Sequence, residues 1–534
     1  MDLKDKVLST ARRGGVDGPV LSLYYEMLDN DIDFDVDERI ASYSLAAEDV
    51  EGRVLFPLVE SGKHAWTYTS SILAHAFRVR GYEPMFLVCD GDLGMCPRQF
   101  DRGESPATCS KCHYKGNRIL QQFGFDHATV GEVLPSGYEP PSLGGYDDLR
   151  DVTYRDVHVS TFALGSTRQA LRKYHVDFED PEEGRVYREL LRNSLVLVDA
   201  LEALLDRTSI DVAIGSRPVY MYEGMLLEVA ANRGLDARTY HASGFRSEKI
   251  LFGDLSNEHS HQTFTDADYV EEVLSTPLSD NKCVEVDNIM AGRQDGSEVR
   301  VHYTEGANET VEAEDSETVL GLFTHVLWDA AIEVEQIIFE DIFEWVTETI
   351  EYVGTKDDTR LIIKPHPGEL GRKTNEKMYD WIHDNVADVP DNVDVLRPDT
   401  DVDTYKLIEQ LDAGLVYAST VGLEMAYYGY PAVVVGKAHY RDFDFTFDPD
   451  TLAEYCDMID SAAELEVTPE MRDRARRYAH LLLVRKELDF PYYSVSGFDH
   501  TAYRDVEHDD LTPGNEPFDT IVDCILAGDP VVRS

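Results

Sequence analysis

Two stretches of this chain put reactive side chains where a strand ends. In LIIKPHPGEL, Leu361–Leu370, an apolar run stops at Lys364 and one histidine, His366, stands between two prolines. The first proline disfavours helix at Lys364 and ends strand pairing, while Pro367 stiffens the exit. An imidazole held there lies at a strand's carboxyl end, where open α/β sheets take ligands. Beside a phosphate it would help a leaving group depart. Taken alone, the pattern equally describes a loop histidine that terminates a strand.

The second stretch is YASTVGLEMAYYGYPAVVVG, Tyr417–Gly436. A strand ends, Ser419 and Thr420 fill the turn, and a helix begins with Gly422 in its first turn. Hydroxyls and unsatisfied backbone N–H groups are thereby offered to an anion, assisted by the helix dipole. Glu424 lies four residues after Thr420, one turn along the same face. A carboxylate there can take both hydroxyls of a ribose, although a capped helix with a surface glutamate would read the same. Lys364, His366, Pro367, Ser419, Thr420, Gly422 and Glu424 together point to a phosphate-bearing donor.

Two more clusters sit in the first half. VESGKHAWTY follows an apolar run, and Glu60 and His64 in it are candidate general bases for an acceptor hydroxyl. Gly62 between them would let the backbone approach a ligand; a solvated turn is the plainer reading. In CDGDLGMCPRQFDRGESPATCSKC, the residues Cys89, Cys96, Cys109 and Cys112 are spaced x6, x12 and x2. Two cysteines two residues apart form a knuckle, and two more upstream complete a tetrahedral thiolate set. Zinc is the first choice and an iron–sulfur cluster the second. Four thiolates leave no open position, which favours a structural role over a catalytic one; reduced thiols without metal are the alternative. Cys283, Cys456 and Cys524 are scattered and read as ordinary thiols.

The elements that must position these residues alternate. VLFPLV, WTYTSSILAHAFRVRG and EPMFLVCD read as strand, helix and strand, a βαβ unit. Helices follow around 115–125 and 165–206, then strands at DVAIGS and LDARTYH. Residues 255–316 are polar, acidic and rich in glycine, as in a linker. The alternation restarts at TVLGLFT, with a long helix over 328–354, and runs on to PAVVVG. At 534 residues one core is too few. The expected fold is α/β: two Rossmann-like domains facing a cleft. The expected divisions are a helical extension at 1–50, an acceptor domain at 51–258 carrying the cysteine insertion, an acidic linker with insertions at 259–316, a donor domain at 317–466, and helices packing back across the domains at 467–534.

The charge balance is unusual, with 102 acidic and 49 basic residues for a net −53. The acid is spread over the whole chain, as on haloarchaeal proteins kept hydrated in high salt. No basic stripe meets a phosphate backbone, which argues against nucleic-acid binding. No Gly-x-Gly-x-x-Gly follows a strand and no Walker loop or His-Glu-x-x-His is present, so NAD is not expected. The first residues lack a signal-peptide core and no window is apolar enough to span a bilayer. A cytoplasmic protein is expected, with room for peripheral attachment at the inner membrane face.

LFTHVLWDAA, IIKPHPGE and the run from LRPDTDVDTYKLIEQLD through YASTVGLEMAYYGYPAVVVGKAHYRDFDFTFDP resemble the capsule polysaccharide biosynthesis family of glycosyltransferases. LVESGKHAW, the cysteine block and AIGSRPVYMYEGMLLEVAANRG resemble it too. The resemblance implies a GT-B fold, a nucleotide-sugar donor of CMP or UDP type in the second half, and a glycan or lipid-linked acceptor. By the family's His-Pro motif it assigns phosphate contacts to His366, Pro367, Ser419 and Thr420, and a ribose to Glu424. Trp328 and Asp329 match the family pattern, as cleft-lining or structural residues. Where relatives carry a glutamate segment this chain has YHASGFR, with His241 and Arg246 in a cleft-lining loop. A sugar-nucleotide epimerase or CDP-polyol phosphotransferase of the same fold is the alternative. A non-catalytic, metal-binding glycan-assembly protein is the alternative of another class.

Overall fold

The computed structural model describes residues 34–533 apart from Lys63, Asp90, Asp92, 98–105, Gly244, 255–265, 298–317, 330–335, 371–373, Asp401 and 497–499. GPVLSLYYEMLDN and most of the expected N-terminal extension lie outside the described residues. In residues 34–50 the helical pieces are short, Glu38–Ser42 and Ala47–Asp49.

The βαβ unit forms as its pattern predicts: β1 (Gly52–Pro57), α1 (His64–Arg78) and β2 (Tyr82–Val88), with β1 and β2 parallel from Gly52↔Tyr82 to Pro57↔Leu87. Then come α2 (Pro106–Gln122), β3 (Ala128–Thr129), α3 (Val159–Leu171), α4 (Pro181–Leu205), β4 (Val212–Ser216), α5 (Gly224–Asn232) and β5 (Asp236–Ala242). The helix expected over 165–206 is broken between α3 and α4. Arg172 adopts a left-handed conformation at the end of α3, and Asp180 with Pro181 starts α4 afresh by capping two backbone N–H groups.

The remaining elements are β6 (Lys249–Asp254), α6 (Ala267–Ser275), α7 (Asp280–Gln294), β7 (Thr318–Phe323), α8 (Ile342–Val353), β8 (Thr359–Lys364), α9 (Met378–Asn385), β9 (Val393–Val395), α10 (Thr404–Ile408), β10 (Ala413–Val416), α11 (Val421–Tyr428), β11 (Ala432–Val434), α12 (Leu452–Asp460), α13 (Pro469–His480), β12 (Leu488–Asp489) and α14 (Phe518–Ala527). Two sheets carry the molecule. The first has the order β12-β6-β5-β4-β1-β2-β3 and is parallel from β5 to β3, with β6 and β12 antiparallel at one edge. The second has the order β11-β10-β7-β8-β9 and is parallel throughout. Apolar cores cover both faces of each sheet, which is why β4 and β10 read as unbroken apolar runs.

Three expectations change. The segment assigned to an acidic linker contains α6 and α7, which bury Val270, Leu274, Val286, Ile289 and Met290 in the core of the second half. Their apolar stripe is narrow and the acid around it masked the helical period. Of the long helix expected over 328–354, residues 336–341 are not helical and α8 begins at Ile342, where the Asp341 carboxylate caps the N–H groups of Phe343 and Glu344; residues 330–335 lie outside the described residues. β6 was not expected at all. After α13 the chain returns to the first half, where β12 pairs with β6 and Phe518, Ile521, Val522 and Ile525 of α14 join its core.

A second junction links the halves between α3 and α4. The Tyr174 and His175 N–H groups donate to Glu376 Oε2 (2.7 and 3.0 Å), the Asn375 side chain donates to the Leu171 carbonyl (2.7 Å), and Tyr174 packs on Phe343.

Candidate functional site

In each sheet the strand order reverses at an internal seam, and open α/β sheets take ligands at the carboxyl ends of the strands flanking such a seam. In the second sheet the seam lies between β7 and β10. The loops after β7, β8 and β10 are hydrogen-bonded to one another there. The Thr324 N–H donates to the Lys364 carbonyl (3.3 Å), and the His366 N–H donates to Thr324 Oγ1 (3.2 Å). On the other side, His325 Nε2 accepts the Ala418 N–H (3.2 Å). Burial holds the His325 pKa down to about 4, so its ring is neutral and able to accept. Residues 324–325 thus fasten the His-Pro loop to the Ser-Thr loop at the carboxyl ends of β7, β8 and β10.

The His366 ring is oriented by its own loop. Its Nδ1 accepts the Gly368 N–H (3.0 Å) as the cap of a short 3-10 turn, Pro367–Glu369. With Nδ1 an acceptor, the neutral ring carries its proton on Nε2, the form that can donate to a leaving phosphate oxygen. Lys364 is buried, which pushes its ammonium pKa down against the opposing pull of Asp403. On α11, Ser419 Oγ accepts the Val421 N–H (3.4 Å), while Thr420 makes no side-chain cap bond. Gly422 has a packing reason: a Cβ there would clash with Tyr440, whose hydroxyl donates to the Ser419 carbonyl.

Glu424 is not the surface glutamate of the alternative reading. It is 6% exposed, its Oε1 is paired with Arg293 (Nε at 3.0 Å), and its Oε2 accepts the Tyr405 hydroxyl (2.8 Å). Burial alone would lower the Arg293 pKa, but Glu424 outweighs it and the guanidinium is held charged. A ribose at Glu424 has to share the carboxylate with Arg293 and Tyr405. Phe245 lies 5.3 Å from the Arg293 guanidinium, so the loop after β5 reaches this pair.

In that loop Arg246 donates to Glu487 Oε2 (2.6 Å) and to the Leu483 carbonyl, and Ser243 bonds the other Glu487 oxygen. Arg246, expected to line a cleft, thus holds the loop after β5 to the segment returning from the second half. His241 pairs through Nδ1 with the Ala242 carbonyl (2.8 Å). Trp328 is 4% exposed; its indole donates to Thr374 Oγ1 (3.0 Å) and Arg172 lies over its ring at 4.4 Å. Asp329 is exposed, and its N–H donates to the Val326 carbonyl (3.1 Å).

In the first sheet the seam lies between β1 and β4, and Glu60 and Arg217 follow those strands. Glu60 is 2% exposed. Arg217 Nη2 donates to Glu60 Oε2 (2.5 Å) and to Glu223 Oε2 (2.6 Å), and its guanidinium lies 3.8 Å from the Trp66 ring centre. Burial alone would lower the Arg217 pKa; Glu223 and Glu60 more than offset that and raise it. The Cys96 thiol donates to the other Glu60 oxygen at 3.9 Å. A carboxylate so enclosed and paired is a poor general base. His64 is the first residue of α1, and its side chain lies outside the described residues. Cys89, Cys96, Cys109 and Cys112 line one cavity beside Glu60 and form no disulfide. A mononuclear zinc site is not borne out, because no three Cys, His, Asp or Glu side chains among the described residues converge on one ion.

Three functional neighbours escaped the sequence reading. His325 and Arg217 each follow a strand directly, the signal that singled out His366. Arg293 lies 131 residues from Glu424 and carries no local signal.

Residues 338–463 match the family model described as capsule polysaccharide biosynthesis protein, and this stretch holds the His-Pro and Ser-Thr loops. No curated protein matches the chain. Among solved structures, the KpsC β-Kdo 2,7 transferase of Thermosulfurimonas dismutans is 13% identical, covering 54% of this chain and 82% of that one at a TM-score of 0.35. MurG of Acinetobacter baumannii is 11% identical over 80% of this chain and 95% of that one, at 0.26. UDP-GlcNAc 2-epimerase of Neisseria meningitidis is 10% identical over 80% and 97%, at 0.22. Superpositions this loose assign neither activity nor substrate.

Proposed function

We propose that this chain, which belongs with the capsule polysaccharide biosynthesis proteins through residues 338–463, is a glycosyltransferase that moves a sugar from a nucleotide donor to a growing surface glycan. The observation that carries the reading is the hydrogen-bonded junction of three loops at the β7/β10 seam, which ties the His366 loop and the turn before α11 to residues 324–325.

In this reading the donor phosphate meets His366 Nε2–H, the backbone N–H groups at the start of α11 and the hydroxyl of Thr420. These groups stabilise the charge that develops on the departing nucleotide. Lys364 adds a cation whose pKa a bound phosphate would lift again. On the acceptor side His64 is the candidate base, and Glu60, Arg217 and Glu223 form a buried charged cluster after β1 and β4. A CMP- or UDP-linked donor and a glycan or lipid-linked acceptor complete the reaction. Among the described residues no helix is long and apolar enough to cross a membrane. Work at the cytoplasmic face of the membrane, beside other assembly proteins, belongs to the same proposal.

The test is a screen of nucleotides and nucleotide sugars for thermal stabilisation in high salt, followed by an assay with acceptor glycans. One nucleotide class should raise Tm selectively, and nucleotide release should require an acceptor. Conversion of the sugar with no acceptor present would replace the transferase by an epimerase. Stabilisation by no nucleotide would remove the donor site.

A further inference from the structure

We propose that Cys89, Cys96, Cys109 and Cys112 hold an iron–sulfur cluster against the carboxyl edge of the first sheet. Cys89 and Cys96 follow β2 and Cys109 and Cys112 lie on α2, and the four line one cavity of about 30 Å³ together with Val59, Leu93 and Tyr222. That volume is two to three times the roughly 10–15 Å³ a single water needs. Four thiolates around one zinc ion enclose no such space. At about 2.3 Å from the metal in a tetrahedron, their sulfurs touch one another about 3.8 Å apart. Here the thiols surround a space without converging on a point, and among the described residues no single-ion ligand set exists. A multi-iron group bound by four thiolates has that requirement.

Backbone donors supply the second line of evidence. The Gly62 N–H donates to Cys112 Sγ (3.2 Å) and the Gly91 N–H to Cys89 Sγ (3.2 Å). N–H groups aimed at sulfur stabilise the thiolate form and are one of the means by which proteins set cluster potentials. Gly62 is required for this approach, since a Cβ there would lie 2.5 Å from Cys112 Cα and 2.6 Å from its Sγ.

The cluster would join the loop after β1, the loop after β2 and the body of α2. With all four thiolates engaged it offers no open coordination position, so its part is to position neighbours. One such neighbour is Glu60, whose Oε1 faces Cys96 Sγ. A ligating Cys96 no longer carries its proton, and Arg217 on the other Glu60 oxygen then offsets the negative charge. This assignment does not depend on the transferase reading.

The test uses the full chain produced and purified without oxygen. Iron, acid-labile sulfide and zinc are measured per chain, with the visible spectrum and electron paramagnetic resonance after reduction. Iron and sulfide in equal amounts, about four of each for a cubane, with a broad visible charge-transfer band are expected. Cys112→Ser should lose most of the iron, while Cys283→Ser, on α7 outside the cavity, should keep it. Zinc in place of iron overturns the proposal. So does protein lacking iron as isolated and after anaerobic treatment with ferrous and ferric iron and sulfide. Should Cys112→Ser fail to fold, the metal content of the unaltered chain still decides.

Discussion

At the scale of single residues, His366 shows how a local pattern becomes chemistry. Its Nδ1 accepts the Gly368 N–H (3.0 Å), so the neutral ring carries its proton on Nε2. His366→Ala should lower kcat about 10²–10³-fold, the range for deleting one preorganised charge-stabilising donor. Binding of the nucleotide alone should weaken far less. Single-turnover assays and nucleotide titration separate the two, and equal losses in both would make His366 a binding group only. His366 was legible because proline leaves a visible mark on either side of it. The partnership of Glu424 with Arg293 was not: the charge on Glu424 was visible, but which cation would meet it depends on how α7 packs against α11.

At the scale of elements, the turn Pro367–Glu369 ties the His-Pro loop to α9, because the Met378 N–H donates to both Glu369 oxygens (3.3 and 3.2 Å). Burial raises the Glu369 pKa from 4.5 to about 8, against the opposing Met378 N–H. The folded state therefore prefers the protonated acid. Its stabilising contribution is complete below pH 4.5 and is lost as pH rises through about 8. Glu369→Gln keeps an oxygen for Met378 and cannot ionise. Its stability relative to the parent should be near even at low pH and should improve by about 3–5 kcal/mol above pH 8. Urea unfolding at several pH values reads this directly, and a pH-independent difference would show that Glu369 does not titrate in that window. The strands and most helices around this turn were legible from period and punctuation. α6 and α7 were not, since an acid-rich coat hides a two- or three-residue apolar stripe, and β6 was missed because an antiparallel edge strand breaks the expected alternation.

At the scale of the whole molecule, a net −53 sets the conditions for every other interaction. From about 0.1 M to about 1 M salt the Debye length shrinks from about 10 Å to about 3 Å, which screens the repulsion among exposed carboxylates. Buried pairs such as Arg217 with Glu60 are screened much less. Tm should therefore rise by several degrees over that range in potassium chloride, followed by scanning calorimetry; a flat or falling Tm would remove salt adaptation as the reason for the acid. The amino-acid sequence by itself determined two α/β halves, their strand ends, the His-Pro and Ser-Thr loops and the set of four cysteines, because each is written in residues adjacent along the chain. Tertiary structure alone decided the rest. It decided that Thr324 and His325 fasten those loops together, that Arg217 encloses Glu60, that residues 488–531 complete the first half, and that four thiols surround a cavity instead of meeting at one point. Those outcomes turn on distances between segments far apart in the chain, which side-chain packing fixes and local sequence does not.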